Sequence, residues 1–265
     1  MNNNVKKVVF LSMDESVYLT AKLSRGETPS YPLSTLSVNS LVGRVISMGH
    51  LACTEQFTCF IQREEFEAVF NASIYSPLVY QNPWLQLTDD KLFVMCNPRF
   101  AIEFFMNHDK DTYNEAYLKM KDLYPMVAGY EKEVRQTYFI ETNIGCTREM
   151  NRHRGLSPLE QSTRYLTMTK KDFNFTSDFV QKDFNVLVDN YTKQSFLETY
   201  QNNIEEFGRD EARDMLPLGT VTKVFYTGFP KAWNHFFGLR RNPKTTHPMI
   251  RDLADKIYLL TKEEN

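Results

Sequence analysis

The segment NRHRGLSPLEQSTRY, residues 151–165, concentrates groups that bind anions. It holds three arginines, one histidine and two serines but a single carboxylate, Glu160, in a chain whose formal net charge is −2. Guanidinium groups form charge-assisted, often bidentate hydrogen bonds with phosphate and carboxylate oxygens. We therefore interpret the segment as a local anion site, with a phosphate group as its natural ligand.

The order of residues inside the segment predicts the start of a helix. Ser157, Pro158 and Glu160 follow the S-P-x-E order in which serine caps a helix, proline takes the first helical position and glutamate the third. A helix that begins here would direct free backbone N–H groups and the positive end of its dipole at an anion. The neighbouring arginines would then surround that end.

Other interpretations stay open from the residues alone. A capping box with a Glu160–Arg164 pair and solvated arginines would explain the segment without any function. A nucleic-acid surface would use the arginines on phosphates and Tyr165 to stack a base, although the overall charge indicates no wider basic surface. A nucleophilic Ser162 beside His153 would need a geometry that closeness in sequence does not establish.

The composition favours a folded protein that binds neither nucleic acid nor membrane. With 265 residues, 42% of them hydrophobic, the chain can bury a sizeable core. Its apolar runs are shorter than the roughly 20 residues of a membrane span, and no signal peptide is evident, so we expect a cytoplasmic protein. The four cysteines form no C-x-x-C pair, which predicts buried thiols and no metal site. No G-x-S-x-G elbow, Walker loop or H-E-x-x-H motif occurs in the sequence.

Hydrophobic periodicity predicts the elements that position the segment. Runs of β-branched and aromatic residues predict strands at KKVVFLSM, EQFTCFIQ and QTYFIETNIGC, and two more around a DD turn in NPWLQLTDDKLFVMCN. Helical spacing predicts helices over STLSVNSLVGRVISMGH, from about Phe184 to Phe207, in PKAWNHFFGLRRN and in HPMIRDLADKIYLL. DEARDMLPLGT predicts a short helix broken at Pro217, whereas TVTKVFYTGF fits either a helix or a strand.

Residues 151–165 resemble the R-H-R-x-x-S-x-x-x-x-S-x-R signature of the flavin-dependent thymidylate synthase family, ThyX. Every fixed position is filled, by Arg152, His153, Arg154, Ser157, Ser162 and Arg164. GHLACTEQFTCF is similar to the family's G-H-x-x-x-x-E-H stretch, EARDMLPLGTVTKVFYTG to its A-R-x-x-L-P-x-x-x-x-T segment, and WNHFFGLRR to its h-F-x-x-L-R helix. The resemblance runs from about Ser37 to Leu260.

The resemblance implies an α+β fold, a single domain over residues 1–265 with a mostly antiparallel sheet packed by long helices. Residues 63–135 would be a family-variable insertion within it. The implied activity is that of a methyltransferase that converts dUMP to dTMP, with methylenetetrahydrofolate as carbon donor and a hydride from reduced FAD, which NADPH regenerates. The implied assembly is a homotetramer with active sites between subunits.

The resemblance also assigns residues to ligands. The FAD contacts that it implies fall on His50, Glu55, Arg152, His153, Arg154, Glu160 and His235. The dUMP contacts fall on Glu149, Arg152, Gln161, Ser162, Thr163, Arg164, Arg213 and Arg240. Arg240 and Ser162 are the candidate catalytic residues, and the Arg240 guanidinium would stabilise negative charge that develops on the uracil ring.

Structural interpretations of these residues remain open at this point. Glu55 could pair with a nearby arginine, His235 could be a hydrogen-bonded core histidine, and Arg213 and Arg240 could form interface ion pairs. We interpret Cys146 as a packed thiol, because the family uses no enzyme thiol on the uracil.

The chain departs from the family pattern at several positions, namely Leu159, Phe229, Lys231 and Lys244. It also has Glu149 where many members have glutamine, and a carboxylate there would repel a phosphate unless it points elsewhere. These departures keep two alternatives in view. One is a flavin- or nucleotide-binding paralogue without turnover, and the other is a nucleic-acid-binding module.

Overall fold

Two antiparallel sheets form the centre of the protein in the computed structural model, which describes residues 3–27, 33–70, 81–105, 113–169 and 190–262. Within these ranges the strands are β1 (Asn4–Val8), β2 (Cys59–Gln62), β3 (Gln86–Leu87), β4 (Phe93–Cys96), β5 (Gln136–Asn143), β6 (Ser157–Glu160) and β7 (Val221–Gly228). The larger sheet has the order β1–β5–β7–β6 and the smaller has the order β2–β4–β3.

The helices surround these sheets. They are α1 (Met13–Ser24), α2 (Thr35–Ser47), α3 (Arg63–Phe70), α4 (Pro98–Phe100), α5 (Tyr113–Leu123), α6 (Ile144–Met150), α7 (Asn190–Phe207), α8 (Arg209–Ala212), α9 (Pro230–Arg240) and α10 (Pro248–Lys262). Short 3₁₀ turns occupy Leu51–Thr54 and Arg213–Met215, and a π turn, Ala101–Phe105, continues α4. The predicted α+β fold with an antiparallel sheet and packed helices is confirmed.

Alternating side chains of the central strand β7 divide the core between the two faces of the larger sheet. Phe225 belongs to a buried cluster that includes Ile46 of α2. Its neighbour Tyr226 belongs to another cluster, with Trp233 of α9 and Ile250 of α10. Because successive residues of a strand point to opposite faces, this one strand anchors helices on both sides of the sheet.

The prediction of a helix that begins at Ser157 is wrong. Residues 157–160 form β6, which pairs antiparallel with β7 from Thr227 to Val224. Burial alternates along it, with Ser157 and Leu159 buried and Pro158 exposed. A proline has no N–H to give to a ladder, and it is tolerated here because β6 is the edge strand of its sheet. No helix N-terminus therefore lies at the signature segment.

The same S-x-x-E spacing marks a genuine helix start elsewhere. Ser12 Oγ accepts a hydrogen bond from Glu15 N at 3.1 Å and caps α1, a helix that the periodicity did not predict. The strand predicted over KKVVFLSM is consequently shorter and ends at Val8. Ser157 pairs with a neighbouring strand whereas Ser12 caps a helix, so the S-x-x-E spacing by itself does not distinguish a strand from a helix start.

Other boundaries shift by a few residues. The strand predicted over QTYFIETNIGC ends at Asn143, whose Oδ1 accepts from Cys146 N at 2.8 Å and starts α6. The strand predicted over EQFTCFIQ is limited to β2, and the undecided TVTKVFYTGF segment is β7. Of the helix predicted from Phe184, residues 184–189 lie outside the described residues, and α7 ends before Gly208, which has a φ of 85°.

The remaining element predictions are confirmed. Helices α2, α9 and α10 occur where the periodicity placed them. The strands β3 and β4 pair around the DD turn, and α8 with its following 3₁₀ turn ends before Pro217.

A methyl group at Gly228 should destabilise the fold. An added Cβ would lie 2.6 Å from Leu156 Cδ2 and 3.1 Å from the Gly155 carbonyl oxygen, so β7 and the signature segment could not approach as they do. We expect Gly228→Ala to lower the free energy of unfolding by about 1–3 kcal/mol in urea titrations. The control is Gly238→Ala in α9, where an added Cβ meets nothing within 4 Å, and where alanine should leave stability equal or up to about 1 kcal/mol higher. Equal stability of the two variants would contradict this packing.

Candidate functional site

Arg240, at the end of α9, is fixed between two residues of the α6 region. Its Nε donates to His153 Nε2 at 2.9 Å, its Nη1 donates to Glu149 Oε2 at 3.0 Å, and its Nη2 donates to the Glu149 carbonyl at 3.4 Å. The Arg240 side chain is 19% exposed. A guanidinium carries more N–H donors than these contacts use, so Arg240 can also donate to a ligand.

His153 is a buried, neutral hydrogen-bond acceptor. Its pKa is lowered from 6.5 to about 4, mainly because the ring is buried and also because of the electrostatic effects of Arg240 and His235. Its ring packs edge-on against Phe236 at 5.0 Å between centroids and lies 6.1 Å from the ring of His235. Because Nε2 accepts from Arg240, the neutral ring carries its proton on Nδ1.

Glu149 points at Arg240 rather than at open space. The 3.0 Å ion pair neutralises the carboxylate that could otherwise repel a phosphate. The departure from glutamine is therefore compatible with an anion site in this region, because Glu149 acts on the orientation of Arg240.

Two of the exposed arginines of the signature, Arg152 and Arg154, follow α6 closely in the chain. The backbone N–H groups of Arg152 and His153 still donate to the carbonyls of Glu149 and Met150, at 3.3 and 2.9 Å. The two cations therefore follow the C-terminal, negative end of this short helix, where its dipole favours positive charge.

The far end of the signature has different partners. Arg164 Nε donates to Asp210 Oδ1 at 3.0 Å, and both side chains are more than half exposed. An open cleft of about 600 Å³ lies beside this pair. The backbone N–H of Ser162 donates to the Ser24 carbonyl at 2.9 Å, and its hydroxyl accepts from Arg164 N at 3.3 Å. Gln161 and Thr163 are half-buried beside them.

Strand β6 separates these two ends within one protomer. Its four residues span about 10 Å at the rise of an extended strand. Glu160, at its end, is held by Thr147 Oγ1, which donates to Glu160 Oε1 at 3.0 Å, and burial raises the pKa of this carboxyl. His153 and Ser162 consequently lie beyond opposite ends of β6, and the protomer does not pair them as a base and a nucleophile.

Arg240, His153 and Glu149 form the Arg240 cluster. Three predicted site residues are not part of it. Glu55 Oε1 accepts from Arg99 Nη1 at 2.7 Å, which is the arginine pairing that the sequence left open. His50 is exposed, immediately before the 3₁₀ turn Leu51–Thr54. Arg213 Nε lies 3.9 Å from Asp214 Oδ1, beyond α8.

Sequence reasoning missed Arg135, which is 6% exposed. Its Nη2 donates to Ser157 Oγ at 2.7 Å and to the Thr227 carbonyl at 3.3 Å, and its Nη1 donates to the Glu55 carbonyl. Its guanidinium lies 5.8 Å from the ring centre of Phe229, and burial lowers its pKa to about 10. A lone arginine before a strand carries no motif, so only the folded structure reveals that it holds the signature strand.

A cavity of about 640 Å³ lies beside the signature, at the start of α9. Its size is that of a cofactor site. Its walls are mainly apolar, and cationic or imidazole groups line it at Lys231 and His235, both exposed. Gly155 lines it as well, and an added Cβ there would lie 2.9 Å from Ala232 Cβ. Lys231 and His235 could hold an anionic group, and the apolar walls could hold a ring attached to it.

The four cysteines are all buried, as predicted. Burial raises the pKa of the Cys146 thiol to about 11, which agrees with a packed, unreactive side chain. Among the described residues, no group of three histidine, cysteine or acidic side chains is arranged to hold a metal ion. No helix in the described ranges is long and apolar enough to cross a membrane.

A comparison with protein families assigns the chain. The family described as thymidylate synthase complementing protein, Thy1, matches residues 131–264, which is more than half of the chain and includes the whole signature. The α+β protein with its arginine–histidine site therefore belongs to this family, the ThyX family that the signature resembles. No curated protein matches the chain.

The neutral state of His153 predicts a dependence of stability on pH. The unfolded chain binds this proton below a pH of about 6.5 and the folded protein only near about 4, so the free energy of unfolding should fall as the pH is lowered across that window. His153→Gln keeps an acceptor for Arg240 but cannot titrate. We expect its urea midpoint to fall less than that of the wild type between about pH 7 and about pH 5.

The matched control is His50→Gln, which removes an exposed histidine. It should retain the pH dependence of the wild type. If His153→Gln also retained it, the proposed neutral state of His153 in the folded protein would be wrong.

Proposed function

We propose that the protein is a flavin-dependent thymidylate synthase that methylates dUMP to dTMP. Methylenetetrahydrofolate would be the carbon donor, and NADPH would regenerate the reduced FAD. The observation that carries the proposal is the fixed guanidinium of Arg240, held by neutral His153 inside a complete family signature. Membership of the family supports thymidylate synthase activity in general terms. The charges around Arg240 support the proposed roles of the individual residues.

Five residues are proposed to hold FAD, namely Arg152, His153, Arg154, Glu160 and His235. Reduced FAD would supply the hydride. The exposed arginines suit its phosphates, and the cavity beside Gly155 and His235 suits its ring system. His50 and Glu55 are also proposed to contact FAD, Glu55 while it is paired with Arg99.

Arg240 is the proposed electrostatic catalyst. Its guanidinium would donate to the uracil carbonyl region and stabilise negative charge as it develops on the ring. Neutral His153 adds no second positive charge there, and Glu149 holds the guanidinium in one orientation. Such a preorganised donor stabilises the transition state without having to reorient during the reaction.

Gln161, Ser162, Thr163, Arg164 and Arg213 are proposed to hold the phosphate and sugar of dUMP, with Glu149 and Arg152 at the other end of the nucleotide. Ser162, a candidate catalytic residue, is better placed for substrate binding because its hydroxyl accepts from Arg164 N.

We further propose a homotetramer with active sites between subunits. One protomer places the Arg240 cluster and Arg164 beyond opposite ends of β6. A second protomer could bring the phosphate-binding end of its own signature to the Arg240 cluster of the first. This arrangement would reconcile the separation of the two groups with a single nucleotide as their common ligand.

The direct test is tritium release from 5-tritiated dUMP. We expect release by the purified protein only when FAD, NADPH and methylenetetrahydrofolate are all present. A folded, flavin-bound protein that releases no tritium would favour the paralogue without turnover. Phe229 supports that second candidate, because it packs in an apolar cluster with Phe60 and Met95 at a position where the family pattern is polar. Salt-sensitive oligonucleotide binding without flavin would instead favour a nucleic-acid module.

Adjacent arginines provide a matched pair for the role of Arg240. We expect Arg240→Met to lower the rate of tritium release by about 100-fold or more, the cost of losing a preorganised donor. Arg241→Met is the control, because Arg241 pairs with Asp255 at 2.6 Å and stacks on Tyr258 at 3.7 Å, away from the cluster. Equal losses in the two variants would remove Arg240 from the reaction.

The Arg164–Asp210 pair predicts opposite effects on dUMP affinity. Arg164→Ala should weaken binding by about 1–2 kcal/mol, because a charge-assisted contact to phosphate is lost. Asp210→Asn should strengthen binding, because the carboxylate 3.0 Å from Arg164 competes with the phosphate. Isothermal titration with dUMP measures both changes, and Arg44→Ala, an exposed arginine on α2, is the control. Unchanged affinity in Arg164→Ala would exclude Arg164 from the site.

A further inference from the structure

One wall of the cavity beside the signature comes from outside the family-matched residues. The match begins at residue 131, whereas Pro83, Leu85 and Leu87 line the cavity from the segment 81–87. Phe229 and His235, from the matched part of the chain, line the same cavity. The cavity therefore joins residues shared with the family to residues that the family match does not include.

Hydrogen bonds within the segment 81–87, together with its pairing to β4, hold the segment in place. Its backbone turns where Leu85 N donates to the Asn82 carbonyl at 3.3 Å, while Trp84 N donates to Asn82 Oδ1 at 2.9 Å. It then enters β3, which pairs with β4. An added Cβ on Gly155 would lie 3.9 Å from Pro83 Cβ, so this wall stands in van der Waals reach of the signature loop.

The chemistry of the cavity lining is complementary to one class of ligand. Leu85 and Leu87 are half-buried and offer apolar surface to the cavity, behind which lie the buried Val94 and Phe229. Lys231 and His235 are exposed and line the same cavity. The apolar lining suits a planar heteroaromatic ring, and the exposed nitrogen groups suit an anionic chain attached to that ring.

We propose that residues 81–87 form a specificity-determining wall that contacts the ring of a planar, heteroaromatic, anionic ligand. FAD and reduced folates share this chemistry. The choice of these two ligands rests on the proposed function, whereas the proposal of a wall is supported by the lining of the cavity. The segment thus sets the affinity of the site through apolar contact.

The test is ligand binding by the full chain, measured separately with FAD, by quenching of flavin fluorescence, and with tetrahydrofolate, by calorimetry. Leu85→Glu places a carboxylate in the apolar wall and should weaken binding of the occupant about tenfold or more, which corresponds to about 1.4 kcal/mol. Pro83→Glu, at an exposed position of the same wall, should weaken it by a smaller factor and serves if Leu85→Glu does not fold. Leu92→Glu is the control, because Leu92 is 58% exposed and does not line the cavity.

The outcomes distinguish a failure of the proposed wall from a failure of the proposed synthase activity. Weaker FAD binding in the wall variants identifies the flavin as occupant, and weaker tetrahydrofolate binding alone identifies the folate. Wild-type affinity for both ligands in Pro83→Glu and folded Leu85→Glu would overturn the wall while leaving the synthase proposal intact, if the wild type releases tritium. If the wall variants bind the ligand more weakly but the wild type releases no tritium, the proposed wall would stand and the proposed synthase activity would be rejected. A wild type that binds neither ligand would overturn both.

Discussion

The pairing of β6 with β7 determines where the charged groups of the signature lie. In this pairing Ser157 and Leu159 turn inward, and the chain on either side of the strand leaves in opposite directions. His153, before β6, packs against α9, while Arg164 reaches α8. One continuous stretch of sequence therefore supplies two separate groups of candidate site residues.

Two local features allow this pairing. The buried guanidinium of Arg135 bonds to Ser157 Oγ and to the carbonyls of Thr227 and Glu55, so it connects β6, β7 and the turn before β2. Gly228 lets the signature loop approach β7 closely, since an added Cβ would lie 3.1 Å from the Gly155 carbonyl oxygen. A buried cation is costly to leave without hydrogen bonds, so the geometry around Arg135 is closely constrained.

The Arg240 cluster shows how burial and charge are balanced around a half-buried cation. Glu149 compensates the guanidinium, and His153 stays neutral because it is buried beside a cation. The result is one oriented cation whose remaining donors can face a ligand. A protonated His153 would add repulsion, and an unpaired Glu149 would oppose a phosphate.

The sequence alone determined the family, the α+β class, most of the elements and the candidate residues, because a spaced signature and hydrophobic periodicity are local properties. It also predicted Arg240 and His153 as candidate site residues, and the fold brings these two into contact. The tertiary structure alone decided that Ser157 begins a strand, whereas Ser12, with the same spacing to a glutamate, begins a helix. Likewise, the partners of Glu149, Glu55 and Arg135 depend on residues far away in the chain. Local patterns specify which conformations a segment can adopt, but the neighbouring strand, the buried charge and the facing wall select among them, and these exist only after folding.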